Sequence, residues 1–220
     1  MFKGVVKDLG HIPYAEAWAL QKSLFHAGID QKLKQKLPVH HLLLCEHPHV
    51  YTLGKSADAQ NLLISKADLA EQNIDVFDIE RGGDITYHGP GQRIIYPIID
   101  LNKGCNSKDL KLYISKLEKW IILTLAEFKI QAFTIPGKIG IWVKNSKNVE
   151  AKIASIGLRI RKWVVYHGIS INIHTNLEHY SGIIACGINN FPITSLKEIG
   201  LDISLEEFDI ILKKKFIEKF

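Results

Sequence analysis

Cysteine, methionine and long apolar runs are all scarce in this sequence. The chain has one methionine and three widely spaced cysteines, Cys45, Cys105 and Cys186, without a C-x-x-C pair. An odd number of separated cysteines is not typical of a disulfide framework. No stretch approaches the roughly 18 consecutive apolar residues that a membrane-spanning helix needs, and the first residues show no signal-peptide core. These absences predict a cytoplasmic protein that does not act at a membrane.

The bulk composition is that of one globular unit. Of the 220 residues, 46% are hydrophobic and 23% are charged, which is enough to bury a sizeable core. We therefore expect a single domain over residues 1–220. The net charge of +5 is mostly diffuse, and no nucleic-acid-binding motif accompanies it. An acidic protein partner is therefore a better expectation than a nucleic acid.

The hydrophobic patterning predicts a mixture of helices and strands. Helices are expected over residues 14–37, 109–128 and 204–220, with a short one at 176–181. Strands are expected over residues 39–46, 50–53, 74–80, 93–101, 131–135, 139–143, 151–161 and 163–173. Because helices and strands do not alternate strictly, we expect an α+β fold, with helices packed on one side of a curved mixed or antiparallel sheet. Ser204 and Glu207 have the spacing of a capping box.

The stretch 81–92 has four glycines and reads Arg-Gly-Gly-Asp-Ile-Thr-Tyr-His-Gly-Pro-Gly-Gln. Glycine permits left-handed turns and the close approach of a ligand to the backbone. We predict an ordered loop, either a pair of tight turns or a ligand-lining segment with Arg81 and His88 as polar contacts. Two nucleotide motifs are excluded, since His49 and Ile94 stand where a P-loop and a dinucleotide fingerprint need glycine.

Cys45, His47 and His49 would share one face if residues 45–49 stayed extended, and such a set could hold zinc. Pro48 interrupts the extended backbone, and no second ligand group has the usual spacing. A structural role for the segment is the better prediction, and no metal or cofactor is expected.

Cys186 and Lys152 are the candidates for covalent chemistry. Cys186 lies between Ala185 and Gly187, a setting that suits a reachable thiol, and nearby N–H groups could stabilise an oxyanion. From these residues alone, a buried cysteine in an apolar strand is the better prediction. Lys152 begins a strand-like run and is either a solvated strand end or a proton acceptor beside a thiol.

Taken together, these segments resemble the lipoyl (octanoyl) transferase family, whose fold is shared with lipoate and biotin ligases. The resemblance runs from residue 46 to residue 198. It is carried by the segments 46–48, 50–54, 81–83, 86–92, 96–97, 136–138, 142–143, 152–157, 167–168, 185–187 and 194–196, with Gly140 between two of them. His49 and Ile139 depart from the family pattern, which often has proline and threonine there.

The resemblance implies an enzyme that moves an octanoyl group from octanoyl-acyl carrier protein to a lysine of a lipoyl domain, in lipoate cofactor biosynthesis. The acceptors it implies are the lipoyl domains of 2-oxoacid dehydrogenases and the glycine cleavage H protein. Cys186 would form a thioester intermediate, Lys152 would promote ionisation of the thiol, and no ATP would be needed. The implied acyl-site residues are Arg81, Gly82, Gly83, Asp84, Ile85, Thr86, Tyr87, His88, Ser155, Ile156, Gly157, His167, Gly168 and Ile169.

Three other functions remain open at this stage. An ATP-dependent lipoate-protein ligase would share the Arg-Gly-Gly loop and the lysine but would not need Cys186. A thioesterase would pair Cys186 with a histidine such as His88 or His167. A catalytically silent carrier-binding module would need neither the thiol nor the lysine.

Overall fold

The computed structural model describes residues 4–102, 108–185 and 191–220. The strands are β1 (Gly4–His11), β2 (His40–Glu46), β3 (Val50–Leu53), β4 (Asp75–Asp78), β5 (Ile85–His88), β6 (Gln92–Asp100), β7 (Ala132–Ile135), β8 (Lys138–Lys144), β9 (Glu150–Arg161) and β10 (Val164–Asn172). The α-helices are α1 (Tyr14–Leu33), α2 (Lys66–Glu71), α3 (Leu110–Glu127) and α4 (Leu205–Lys219), and two 3-10 helices span Ala59–Asn61 and Leu177–Gly182. The predicted α+β class is confirmed.

The strands form two sheets. Seven strands form the large sheet in the order β1-β2-β6-β10-β9-β8-β7, in which only the β1–β2 pair is parallel. The small sheet has the order β4-β3-β5, with β3 parallel to β4 and antiparallel to β5. Strands β2 and β6 lie inside the large sheet and are mostly buried, as their near-continuous apolar sequences predict.

Helices cover both faces of the large sheet, so the prediction that they pack on one side is wrong. Leu42 and Leu44 of β2 face the cluster that contains Trp120 of α3 and Phe208 of α4. Leu43, the residue between them, faces the opposite cluster with α1. Successive strand residues point to opposite faces of the sheet. Because residues 42–45 of β2 are all apolar, both faces of the sheet must be covered by helices.

The helix ends follow from local capping. Asp109 caps α3 by accepting a hydrogen bond from the Leu112 N–H. Ser204 and Glu207 form the predicted capping box at the start of α4. Within the described parts of the chain, no helix is long and apolar enough to cross a lipid bilayer.

The run 81–92 is not a loop throughout, because residues Ile85–His88 form strand β5. The strand pairs with β3, where Tyr51 lies opposite Tyr87 and Thr52 opposite Thr86. Its partners are about 35 residues away in the sequence, and its four residues are too few to show a period among the flanking glycines. The N-terminal strand β1 and helix α2 were not predicted either.

Candidate functional site

One cavity of about 400 Å³ lies between the two sheets and α1. This volume is in the range of small-molecule sites. Three separate parts of the chain that the sequence singled out meet on its wall, namely the 81–88 segment, the middle of β9 and the middle of β10. Of the predicted site residues, those that line it are Arg81, Gly82, Gly83, Asp84, Ile85, Thr86, His88, Lys152, Ser155, Ile156, Gly157, His167, Gly168 and Ile169.

Tyr87 is the one predicted site residue among those described that does not line this cavity. Its side chain is fully buried in a separate cluster with Tyr51, Ile74 and Ile183. Its hydroxyl lies 2.7 Å from Nδ1 of His49. Thr86 and His88 point to the other face of β5 and reach the cavity, and Ile85, at the start of the strand, touches both the cavity and the cluster of Tyr87.

Other lining residues were not among the predicted site residues, although Tyr96, Gly137 and Lys138 lie in segments that carry the resemblance. They come from α1, β6, the start of α3, the β7–β8 turn with the start of β8, β9 and β10, and they are Tyr14, Ile94, Tyr96, Leu110, Ile114, Gly137, Lys138, Ile139, Leu158 and Ser170. Most are apolar or aromatic, so the wall suits a hydrocarbon chain. Only the three-dimensional packing of α1 and α3 against the sheets brings them here.

Arg81 is buried at the cavity wall with its guanidinium held by β3. Its Nε donates to the Thr52 hydroxyl at 3.2 Å, and its Nη1 donates to the Gly82 carbonyl at 3.0 Å. Two glycines make room for it: a Cβ at Gly54 would lie 2.8 Å from Nη1, and one at Gly157 would lie 3.1 Å from Cδ. The glycines therefore permit close packing around a fixed cation.

His88 is held in one tautomer by its neighbours. Its Nδ1 lies 2.7 Å from Oε1 of Gln92, while the Gln92 amide donates to the Asn172 side chain at 2.9 Å. Since Oε1 can only accept, Nδ1 carries the proton and Nε2 is left as an acceptor. Burial lowers the pKa of His88 to about 3, so the imidazole is neutral at physiological pH.

His167 is a second buried, neutral histidine on the wall. Burial, followed by the positive charges of Arg81, Arg159 and Lys22, lowers its pKa to about 3. Its backbone has φ of +59°, a left-handed conformation that is uncommon for residues other than glycine. Its N–H donates to the Gln21 side chain at 3.1 Å, which ties this turn of the strand to α1.

Acidification should destabilise the protein through these two histidines. A group whose pKa is about 6.5 when unfolded and about 3 when folded binds more protons in the unfolded state between those values. The free energy of unfolding should therefore fall as the pH drops below 6.5, by about 1.4 kcal/mol per pH unit for each histidine.

Urea denaturation at pH 7 and pH 5 would measure this slope. His167→Asn should reduce the slope by one histidine's share, since asparagine tolerates a left-handed backbone and does not titrate. An unchanged slope in His167→Asn would contradict the assignment.

Lys152 lies on β9 with its side chain 8% exposed. Its Nζ is 4.9 Å from the centroid of the Trp142 ring, a cation–π distance. Gly140 gives the alkyl chain room, because a Cβ there would lie 3.4 Å from the Lys152 Cε and 2.7 Å from the Ala154 carbonyl oxygen. Lys152 is thus a buried amine on the cavity wall and not a solvated strand end.

Cys186 lies outside the described residues, and so do Cys105 and Gly187. The residues on either side of 186–190 are described. Ala185 and Phe191 both line a small hollow of about 20 Å³ that also contains Lys152 and Ser155. The Lys152 N–H donates to the Pro192 carbonyl at 2.9 Å, and the Lys152 carbonyl accepts from the Thr194 N–H at 3.0 Å. Both ends of that part of the chain are therefore placed beside Lys152.

Cys45 and His47 lie together, with Sγ 3.7 Å from Nε2, but His49 does not join them. Nδ1 of His47 donates to the Ile12 carbonyl at 2.7 Å, so its Nε2 accepts from the Tyr96 hydroxyl at 2.7 Å. His49 instead contacts Tyr87. Among the residues with described positions, no group of three or more His, Cys, Asp or Glu side chains is arranged for a metal ion.

Comparison with known protein families gives a match over most of the chain. The family described as the lipoyl protein ligase A/B catalytic domain matches residues 13–217.

Curated relatives agree in name. A protein called octanoyltransferase from Ehrlichia chaffeensis is 49% identical over 177 residues, which cover 80% of this chain and 79% of the relative. Proteins of the same name from Rickettsia bellii and Christiangramia forsetii are 44% and 42% identical, and the matches cover 95% and 98% of this chain and 95% and 94% of the relatives.

Solved structures share the fold at low identity. A lipoate-protein ligase A bound with ATP has a TM-score of 0.74 at 16% identity, covering 99% of this chain and 85% of that one. A biotin protein ligase from Aquifex aeolicus has a TM-score of 0.52 at 14% identity, covering 100% of this chain and 69% of that one. The ligase-like fold expected from the resemblance is confirmed.

Proposed function

Because this chain belongs to the lipoyl protein ligase A/B catalytic-domain family, we propose that it is an octanoyltransferase of lipoate biosynthesis. It moves an octanoyl group from octanoyl-acyl carrier protein to the side chain of a lysine in a lipoyl domain, in the cytoplasm. The observation that carries the proposal is the convergence of the 81–88, β9 and β10 segments around one largely apolar cavity with Lys152 in its wall.

The cavity is the proposed acyl site. Burial of each methylene contributes about 0.8 kcal/mol, so an eight-carbon chain gains most of its affinity from apolar wall residues such as Ile94, Ile114 and Ile156. The buried histidines His88 and His167 stay neutral, since their pKa values are about 3. At these two positions the neutral imidazoles avoid the cost of placing hydrocarbon beside an unpaired charge.

Cys186 is the proposed nucleophile and Lys152 its acid–base partner. Only the thiolate is nucleophilic, and a free cysteine is mostly protonated at neutral pH. An adjacent amine can raise the thiolate fraction, either as an ammonium beside the sulfur or by taking its proton. Support comes from Ala185 and Phe191, which line one small hollow together with Lys152.

The reaction proceeds in two displacement steps. The Cys186 sulfur attacks the thioester carbonyl of the donor, the carbon–sulfur bond to the carrier breaks, and the carrier thiol leaves with a proton. The neutral amine of the acceptor lysine then attacks the acyl-enzyme, an amide forms, and the Cys186 thiol is released. Thioester to amide runs downhill, so the cycle needs no ATP.

The proposed partners are an acyl carrier protein as donor and the lipoyl domains of 2-oxoacid dehydrogenases and the glycine cleavage H protein as acceptors. Two observations support such partners. The chain has a net charge of +5, which favours encounter with acidic proteins. One fold neighbour is described as a lipoate protein ligase with its E2 lipoyl domain, from Thermoplasma acidophilum, with a TM-score of 0.73.

Intact-protein mass spectrometry tests the proposal. After incubation with octanoyl-acyl carrier protein, the wild-type enzyme should gain the mass of one octanoyl group, and Cys186→Ala should gain none. Cys45→Ala is the matched control and should be acylated like the wild type, because Cys45 is fully buried.

The same assay separates the alternatives. Addition of apo lipoyl domain should discharge the adduct with a matching gain of mass on the domain. An octanoyl-adenylate formed from ATP and free octanoate would favour a ligase. Free octanoate released without an acceptor, with loss of activity in His88→Gln or His167→Asn, would favour a thioesterase.

A further inference from the structure

Both carboxylate oxygens of Asp84 are engaged by protein donors. Oδ1 accepts from the Ile85 N–H at 2.7 Å and from the Asp58 N–H at 3.3 Å. Oδ2 accepts from the side-chain amide of Asn61 at 2.6 Å. Although Asp84 lines the cavity, these contacts direct its carboxylate towards the turn at 58–61 and not towards a ligand.

That turn holds a second segment in place. The Asn61 carbonyl accepts from the Ile184 N–H at 2.8 Å. Two further N–H groups, those of Leu63 and Ile64, donate to the Gly182 carbonyl at 2.9 and 3.2 Å. Residues 61–64 therefore run alongside residues 182–184 and fix their position.

Ile184 is followed by Ala185, which lines the hollow shared with Lys152, and then by Cys186. A continuous chain of hydrogen bonds therefore runs from Asp84 through Asn61 to Ile184. Ile184 lies two residues before Cys186, the proposed nucleophile. A carboxylate-to-amide hydrogen bond is stronger than a neutral one, so it is suited to holding a segment at a set distance.

We infer that Asp84 is a positioning residue which, through Asn61, sets the place of residues 182–185 beside Lys152. The inference rests on the proposed function for the role of Cys186. Asp84 then acts on the reaction without touching the substrate. Because a misplacement of about 1 Å can cost roughly a hundredfold in rate, loss of this contact should be visible in the reactivity of the thiol.

Asp84 is not needed to hold its own loop together. The Asp84 carbonyl accepts from the Gly54 N–H, and the Gly83 carbonyl accepts from the Ser56 N–H, both at 3.2 Å. These backbone contacts remain when the side chain at position 61 or 84 is changed, so the variants below should fold.

A reciprocal exchange of the two side chains tests the inference. Asn61→Asp sets two carboxylates face to face and should slow alkylation of Cys186 by iodoacetamide at pH 7 about tenfold or more. In the double variant Asn61→Asp/Asp84→Asn, the new amide at position 84 donates to the new carboxylate at position 61. The oxygen of that amide still accepts from the Ile85 N–H. The double variant should react within about threefold of the wild-type rate.

Peptide-level mass spectrometry would give the alkylation rate at Cys186 alone. Gln60→Glu is the matched control, because it adds the same charge to the same turn at an exposed position and should keep the wild-type rate. Asn61→Ala removes the contact without repulsion and should also slow the reaction, which covers the case in which Asn61→Asp does not fold.

Two results would overturn the inference: a wild-type rate in both Asn61 variants, or a double variant as slow as Asn61→Asp. In the latter case, a raised KM for the acyl carrier would instead assign Asp84 to substrate binding. The alkylation readout does not need octanoyl transfer. A wild-type enzyme that forms no acyl adduct, with the alkylation pattern intact, would reject the proposed function and keep the inference.

Discussion

Replacing Lys152 with methionine is expected to slow formation of the acyl-enzyme on Cys186 by a factor of about 10² to 10⁴. That range is the usual contribution of a positioned acid–base group. Methionine keeps most of the length and apolar volume of the lysine side chain but supplies neither a charge nor a proton acceptor. The variant therefore removes the chemistry while leaving the packing against Gly140 and Trp142 largely filled.

The measurement is the single-turnover rate of octanoyl transfer to the enzyme, followed by intact mass at saturating donor. Lys144→Met is the matched control, because Lys144 lies on the neighbouring strand with its side chain 52% exposed and only a 3.8 Å ion pair to Glu150. It should transfer at the wild-type rate. A wild-type rate in Lys152→Met would remove Lys152 from the mechanism, and thermal unfolding would show whether the variant is folded.

The same comparison distinguishes the two ways in which Lys152 could act. If the amine serves as a fixed positive charge beside the sulfur, Lys152→Arg should retain much of the activity, since arginine keeps the charge. If the amine accepts the proton, Lys152→Arg should be as slow as Lys152→Met, because a guanidinium is not deprotonated in proteins.

Strands that are buried on at least one face could be predicted from the sequence. The apolar run of β2 and the long β10 segment were placed within one or two residues of their observed ends. Helix α3 was predicted for the same reason, since its buried residues Leu117, Trp120 and Ile121 recur at helical spacing. An element with a buried face has apolar residues at a regular spacing, and that spacing predicts whether it is a helix or a strand.

Two elements that bury almost no side chain, β1 and α2, were not predicted. Nearly every residue of β1 is exposed, because the strand lies at the sheet edge and pairs only with β2. Helix α2 is six residues long and buries none of them. Strand β1 is fixed by its pairing with the distant strand β2, and α2 is fixed by its own backbone bonds and the Ser65 cap, so neither leaves a hydrophobic period in the sequence.

The candidate site shows the same division. Glycine-rich and small-residue segments pointed to the wall at Arg81, Gly157 and Gly168, where the backbone approaches closely. Tyr14 and Ile114 could not be predicted as site residues, because an aromatic or aliphatic residue on a helix usually belongs to the hydrophobic core. The resemblance predicted that Asp84 contacts the substrate. The 2.6 Å hydrogen bond from Asn61 to its carboxylate is the basis for inferring a positioning role instead.

Gly168→Ala is expected to lower the free energy of unfolding by about 3 kcal/mol or more, the upper end of overpacking costs. Gly168 lies on β10 directly against β6. A Cβ there would be 1.9 Å from the carbonyl oxygen of Ile95 and 2.8 Å from Cδ of Pro97. Neither neighbour can rotate away, since one is backbone and the other is a ring, so the two central strands of the large sheet must separate.

Gly28→Ala in α1 is the matched control for this substitution. The nearest atom to its added Cβ would be Val164 Cγ1 at 3.8 Å, an ordinary van der Waals contact, and alanine is favoured over glycine in a helix by about 1 kcal/mol. Chemical denaturation should therefore show Gly28→Ala to be as stable as the wild type or more so. Because Gly168 also lines the proposed acyl site next to His167, Gly168→Ala should lose octanoyl transfer below its unfolding midpoint as well. Stability within about 0.5 kcal/mol of the wild type would mean that β6 and β10 are spaced more widely at Gly168 than the 1.9 Å approach to Ile95 implies.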